Sequence, residues 1–514
     1  MFDWGAVRME KPSKRISCFL ILFGFLLAIS EPLILLILGD DLGGAFWPMA
    51  KRSLDWTYFL RKNRTIIFAF FLLALPFSYY RSSRAGNLEK SIMIFFVGFI
   101  FGLLATFYLL NWAYYRGAFL LLPTTYGFLL LCSALIIRGL PEIPFRSSKY
   151  RIEKISHIFV VIISVWLISP GLSSMAGLAP SPPELQIQDG KYRVETESYQ
   201  YPMPEEVSSI QGDYEKDVVF SVYLTLPKDY NGVMPLAILL HGFANPFFES
   251  YTDWAEELAS RGVAVAFIQY PSDVMPPGHN TFELHEESGM SNHPYHLPRA
   301  VAIEASLEFM LTLLPDNVNH DYLMVAGHSL GAGYSFLVLE WALEKNWGDE
   351  ALFVSLESPY ARPVQEHLQF DTTKLPDNFL AHVAISEDDM SVHECFGVHH
   401  QNTLGDSALL IEVPSDRHGF PRLVASHYLQ ATEAHDDLAD WGFYRRVASQ
   451  ANWLVSNALN DTINETKWRT ELVDSENLRY MGEWSDGKNV EPLRTWEDPL
   501  NSNRFNHCNT WTGP

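Results

Sequence analysis

Five long apolar runs, at 16–38, 65–80, 92–115, 117–137 and 155–179, fill the first 180 residues, a stretch with 18 Lys and Arg against 9 Asp and Glu. The rest of the 514-residue chain has 19 basic against 51 acidic residues. No single solvent suits both parts. Apolar runs of about 20 residues match the hydrocarbon thickness of a bilayer, and a cleavable signal peptide accounts for at most the first of them. Residues 1–180 are therefore expected to form an all-α transmembrane region of about five helices, an integral, multi-pass anchor. The run 65–80 is the shortest; at a rise of ~1.5 Å per residue it reaches only ~24 Å and relies on Arg64 and Arg81 snorkelling at its ends. Without it the count is four. Glu31-Pro32 interrupts the first run and predicts a kink there, in preference to a proton relay.

Orientation follows from the basic residues between runs. With the N-terminus inside, twelve Lys and Arg lie on the cytoplasmic side (Arg8 to Arg15, Arg81 to Lys90, Arg138 to Lys154) and six outside, five of them in the loop 51–64 and the sixth Arg116. The excess places everything after residue 180 on the extracytoplasmic side. A net charge of −23 excludes a general nucleic-acid binder. The four cysteines supply neither a disulfide framework nor a zinc cluster; for Cys395 and Cys508, a bond and two free thiols both stay open.

Beyond a stiff exit, APSPP at 179–183, the pattern becomes that of an α/β domain over 181–458. Two alternating segments, 192–202 and 217–227, are followed by short buried-strand patterns at 235–243, 262–271, 322–329, 351–358, 379–389 and 408–414. Helical periods at 251–261, 298–314, 330–345, 422–433 and 441–458 lie among them. Such alternation predicts a mostly parallel sheet covered on both faces. The extension 459–514 is polar with four tryptophans and carries no signal beyond packing on the domain.

Gly327-His328-Ser329-Leu330-Gly331 follows the strand pattern YLMVA and opens a helical run, the context of a nucleophile elbow. Flanking glycines let the serine sit in a strained turn with backbone packed against it. Ser329 is the candidate nucleophile. Its oxyanion donors are expected to be the Leu330 amide, at the start of the helix, and the Phe243 amide in His241-Gly242-Phe243, with Ala244 second. The acid belongs after a later strand: Asp389 is the first choice, then Asp388 and Glu357. The base belongs after the last core strand, where His418 stands in PSDRHGFP; His393, His399, His400, His427 and His435 read as packing or surface residues.

Through LLHGF, WAEELASRGVAVAFIQYP, GHSLG, ISEDD and RHGFP, residues 190–458 resemble the α/β-hydrolase superfamily, nearest its esterase, lipase and dienelactone-hydrolase-like branches. The resemblance implies an α/β-hydrolase fold, hydrolysis through an acyl-enzyme, and neither metal nor organic cofactor. The expected function is that of a membrane-anchored carboxylic ester hydrolase acting on an ester or lipid. A serine peptidase, an acyltransferase, or an inactive receptor or transport component with a hydrolase-like binding domain are the alternatives. The long segment 272–297 leaves the catalytic edge of the sheet and is expected to form a lid or, with Phe247, Phe248 and Phe282, an apolar rim; its His279, His285, His293 and His296 lack metal-ligand spacing.

Overall fold

The computed structural model describes residues 14–38, 45, 86–113, 130–135, scattered positions between 162 and 173, 177–185, 190–202, 204–205, 220–243, 245–272, 296–360, 371–389, 391–430 and 436–511. It divides into two compact units, Met1–Ser181 with His418–Arg422, and Pro182–Arg417 with Leu423–Pro514. The expected spans 65–80, nearly all of 155–179 and most of 117–137 lie outside the described residues, as does the proposed lid from 273 to 295.

In the first unit, helices α1 (Lys14–Ala28) and α2 (Ser30–Leu38) together make the first apolar run, and α3 (Asn87–Ala113) makes the third. Among the described residues no single helix is long and apolar enough to cross a membrane; the pair Arg15–Ala28 and Ser30–Leu38 has the length and composition together, but bent by 63°. Pro32 lacks the N–H that would bond back to Ala28, and the helix breaks one residue after Ala28. This is the kink expected at Glu31-Pro32. Helices α1 and α3 meet through glycines: a Cβ on Gly24 would lie 2.2 Å from the Phe95 carbonyl oxygen, and one on Gly98 2.0 Å from that of Ile21. Only bare backbone permits so close an approach.

The second unit is built on one sheet, with strands β1 (Val194–Gln200), β2 (Ser221–Pro227), β3 (Met234–Leu240), β4 (Ala264–Ile268), β5 (Val318–His328), β6 (Ala351–Glu357), β7 (Phe379–Ser386), β8 (Ala408–Val413) and β9 (Arg494–Trp496). Their order is β1-β2-β4-β3-β5-β6-β7-β8-β9. From β4 to β8 all neighbours pair in parallel; the edges at β1, β2 and β9 pair antiparallel. All eight strands expected from sequence are present. Residues alternate across the central strands: Leu236, Ile238 and Leu240 of β3 enter one core and Ala237 and Leu239 the other. The first core is closed by α5 (His296–Leu311), α6 (Leu330–Glu344) and α7 (Glu394–Leu404). The second is closed by α4 (Thr252–Ala259) and α8 (Arg445–Ala458). Two covered faces are what apolar parallel strands require.

The helix expected at 422–433 does not form over 422–430; 431–433 lie outside the described residues. Leu423 is drawn into an antiparallel bridge with Asp416, which takes its backbone out of a helix, and 427–430 is a turn.

The C-terminal extension completes the domain. Its α9 (Thr462–Leu472) is followed by β9, which joins the edge of β8. Glu412, buried near the end of β8, is paired by Arg494 at 3.1 Å and Arg504 at 2.8 Å, both from the extension. An unpaired carboxylate at that depth would be costly. Cys508 is disulfide-bonded to Cys395 of α7, which settles the alternative left open by the sequence. This bond closes a loop of 113 residues. The chain-entropy model assigns such a closure ~5 kcal/mol. Replacing both cysteines by serine is therefore expected to lower Tm by roughly 10 °C in calorimetry; an unchanged Tm would show that the extension docks independently of the bond.

Candidate active site

Strands β3 and β5 are neighbours from which the chain departs in opposite directions, to β4 on one side and to β6, β7 and β8 on the other. The carboxyl ends of such a pair leave a crevice that nothing in the sheet fills. Leu240 lies opposite Gly327 there, so His241-Gly242-Phe243 and His328-Ser329-Leu330 emerge side by side.

Ser329 has φ +55 and ψ −119, a strained conformation for a residue with a side chain. The turn is held by backbone: the Ser329 N–H donates to Glu357 O at 2.9 Å, and the Ser329 carbonyl accepts from Tyr360 N at 2.9 Å. Its flanking glycines are required by contact. A Cβ on Gly327 would lie 2.5 Å from the Gly331 carbonyl group, and one on Gly331 2.4 Å from both the Leu240 and His241 carbonyl oxygens. Gly242 faces Ser329, its missing Cβ 3.2 Å from the serine Cβ. The N–H groups of Phe243 and Leu330 donate to no partner among the described residues. These two amides stand at the ends of the neighbouring strands β3 and β5; Ala244 lies outside the described residues.

The glycine turn after β3 is held by His241. Its Nδ1–H donates to the Gly242 carbonyl at 2.9 Å, its Nε2 accepts from Tyr270 N at 3.1 Å, and its ring stacks on Tyr270 at 4.2 Å. Burial pushes its pKa down to about 4.

Asp389 follows β7. Its Oδ1 accepts the N–H groups of Ser391 and Val392 at 2.8 and 3.0 Å, and its Oδ2 accepts Nδ1–H of His427 at 2.7 Å. Both side chains are more than nine-tenths buried. The expected base, His418, does not hold this position: it is exposed, on the segment His418–Arg422 that belongs to the first unit. The reason is a hairpin after β8. Asp416 and Leu423 exchange both backbone hydrogen bonds at 2.8 Å, so 417–422 connect its arms and His427 follows on the returning arm. Gly419-Phe420-Pro421, between the two histidines, is the sequence signal for that turn.

The other two acid candidates are engaged elsewhere. Asp388 accepts from Ser415 Oγ at 2.6 Å and from Arg417 at 2.7 Å, fastening the first arm of the hairpin. Glu357, fully buried, forms a two-pronged pair with Arg446 of α8 at 3.0 and 2.8 Å. From the extension, Trp484 Nε1 and Glu491 N donate to Asp416 at 2.8 and 3.1 Å. A cavity of about 410 Å³ lies beside Asp389, lined by Ser358, Ser386, Val392 and His393 among others; neither Ser329 nor His427 lines it. His393 in turn stacks on Trp511 of the extension. Among the described residues, one cluster has the composition to hold a metal, Cys395, Cys508 and His507, and its two thiols form the disulfide.

No protein-family model matches this sequence, and no curated protein matches it.

Sequence reasoning overlooked His328 and His382 as well as His427. His382, on β7, accepts from Gln450 at 3.2 Å and donates to Leu472 O at 2.8 Å. Burial first, and the Arg446 charge second, lower its pKa to about 3. Burial, then the neighbouring His427, does the same to His328, to about 3. All three depressed histidines, at 241, 328 and 382, stay neutral in the native state where the unfolded chain, with histidine pKa values near ~6.5, takes up protons. Their stabilising contribution is therefore complete above pH ~6.5 and is lost as pH falls toward their folded values, by about 2 kcal/mol each at pH 5. Tm is expected to fall between pH 7 and pH 5, and His382→Gln is expected to flatten that slope. A slope unchanged by the substitution would contradict this assignment.

Proposed function

We propose that this chain is a membrane-anchored serine hydrolase that cleaves a carboxylic ester through an acyl-enzyme. The reading is carried by the 2.7 Å bond from His427 Nδ1–H to Asp389, together with a serine held at φ +55 on a strand-to-helix turn. Donation through Nδ1 leaves His427 Nε2 as the basic nitrogen. Ser329 Oγ attacks the acyl carbonyl while its proton passes to Nε2. The developing oxyanion accepts from the Phe243 and Leu330 amides, the latter at the positive end of α6. Collapse of the tetrahedral species breaks the C–O bond, and the departing alkoxide takes the proton back from His427. Water, deprotonated by His427, then attacks the acyl-serine and regenerates the hydroxyl. Asp389 orients the imidazole and stabilises its charged form. The sheet order, with the elbow on a central parallel strand and the acid two strands away, also supports an α/β-hydrolase fold.

Membrane attachment and an extracytoplasmic active site belong to the same proposal. On α1, Phe19, Leu22, Phe23 and Leu26 are exposed, as are Ile92, Phe96 and Phe101 on α3, while small residues fill the contact between the helices. Large apolar residues outward and glycines inward is the arrangement of helices in lipid, where nothing drives apolar side chains inward. The disulfide suits an oxidising compartment, and the twelve-to-six excess of basic residues inside supports the same side.

Ser329→Ala, His427→Ala and Asp389→Asn are each expected to lower kcat on a short-chain p-nitrophenyl ester by on the order of 10³-fold or more, with the protein still folded. His418→Ala is expected to stay within about threefold of the wild type. Loss of activity in the His418 variant with retention in the His427 variant would reverse the base assignment; full activity in Ser329→Ala would refute the mechanism.

A further inference from the structure

We propose that His328 is a positioning residue, a neutral imidazole that joins the oxyanion turn to the backbone of the catalytic base in one hydrogen-bonded chain. The proposal rests on the assignment of Ser329 and His427 given above. The residue stands in the elbow itself, and both of its ring nitrogens are engaged by neighbours. Gly242 N–H donates to Tyr251 Oη at 3.0 Å; the Tyr251 hydroxyl meets His328 Nδ1 at 3.0 Å; His328 Nε2 meets the His427 carbonyl at 2.7 Å. His427 then donates to Asp389. Tyr251, His328 and His427 are all buried, so no water competes for these bonds.

One arrangement of protons satisfies the whole chain. A carbonyl accepts only, so Nε2 carries the hydrogen. Nδ1 of a neutral ring is then an acceptor, and the Tyr251 hydroxyl donates to it while its oxygen accepts from Gly242. A second proton on the ring would set N–H against O–H and break the contact with Tyr251. Around His328 stand His427, His241 and the Asp389 carboxylate; burial outweighs the carboxylate and keeps the ring neutral at the pH of ester hydrolysis.

Each end of the chain holds part of the chemistry. Gly242 precedes the Phe243 amide, one of the two oxyanion donors. The carbonyl bonded by His328 belongs to the residue whose ring takes the serine proton. The donor and the base come from loops far apart in sequence, and a relative shift of about 1 Å between such groups costs on the order of 10²-fold in rate. A side chain that merely filled space here would leave that relation to chance.

The test uses the full-length chain in detergent, with ester kinetics and Tm measured for His328→Phe, His328→Gln, Tyr251→Phe and the double variant His328→Phe/Tyr251→Phe. Phenylalanine fills the site but cannot bond; glutamine restores a donor and an acceptor. His328→Phe is expected to lower kcat about 10²-fold with KM within about threefold. Glutamine is expected to recover at least about tenfold of that loss, and Tyr251→Phe to lose about tenfold alone and nothing more in the double variant, because both substitutions break one chain. The role is overturned if His328→Phe keeps kcat within threefold of a wild type that Ser329→Ala inactivates, if glutamine is as damaging as phenylalanine at equal Tm, or if the two losses multiply. Should His328→Phe fail to fold, Tyr251→Phe decides: undiminished kcat overturns the role. Activity that survives Ser329→Ala refutes the hydrolase reading first, and this role with it.

Discussion

The contact between the end of β3 and the start of α6 governs the arrangement of the site. Gly331 comes so near the Leu240 and His241 carbonyls that a Cβ there would stand 2.4 Å from both oxygens. Such an approach forces Ser329 into the left-handed region and lifts its side chain out of the sheet, next to the turn at Gly242. The strain is held by what surrounds it. Strand β6 supplies the Glu357 carbonyl that receives the Ser329 amide, and the Glu357 carboxylate is in turn locked by Arg446. Breaking one partner of so deeply buried a pair typically costs about 3–5 kcal/mol, so α8 acts as a buttress for the elbow from the opposite side of the sheet.

The hairpin that delivers His427 is fastened in a similar manner. Asp388 grips its first arm through Ser415 and Arg417, Ser415 Oγ accepts from the returning arm at Ala425 N, and Asp416 is held by Trp484 and Glu491 of the extension. The extension therefore serves the position of His427 as well as the edge of the sheet. Three of its four tryptophans, unremarkable as sequence, are accounted for by such contacts: Trp484 bonds Asp416, Trp496 pairs with Leu410 across β9 and β8, and Trp511 stacks on His393.

The strands and most helices of the second unit were legible because they obey one rule, apolar periodicity between turn residues. The strand-to-helix turn at Ser329, the HGF turn and the place of Asp389 after β7 were legible because glycine spacing and strand ends constrain them locally. His427 was not. The residues 422–433 carry an apolar pattern that reads as a helix, whereas the pairing of Leu423 with Asp416 makes the start of that segment an extended arm. Proximity to β8 then favoured His418, and only the bridge between Asp416 and Leu423, a tertiary pairing, shows which histidine meets the acid. Strand β9 escaped notice for a similar reason: three residues have no periodicity, and it is the buried Glu412 that draws Arg494 and Arg504 onto the edge.

The account turns on whether the Asp389–His427 pair activates Ser329. The most direct measurement is treatment of the full-length protein with a fluorophosphonate, followed by mass-spectrometric mapping of the modified residue in the wild type, His427→Ala and His418→Ala. A single adduct at Ser329 in the wild type and in His418→Ala, with none on the same timescale in His427→Ala, is the predicted result. An adduct at another residue, or labelling that disappears with His418 and persists without His427, would contradict the account.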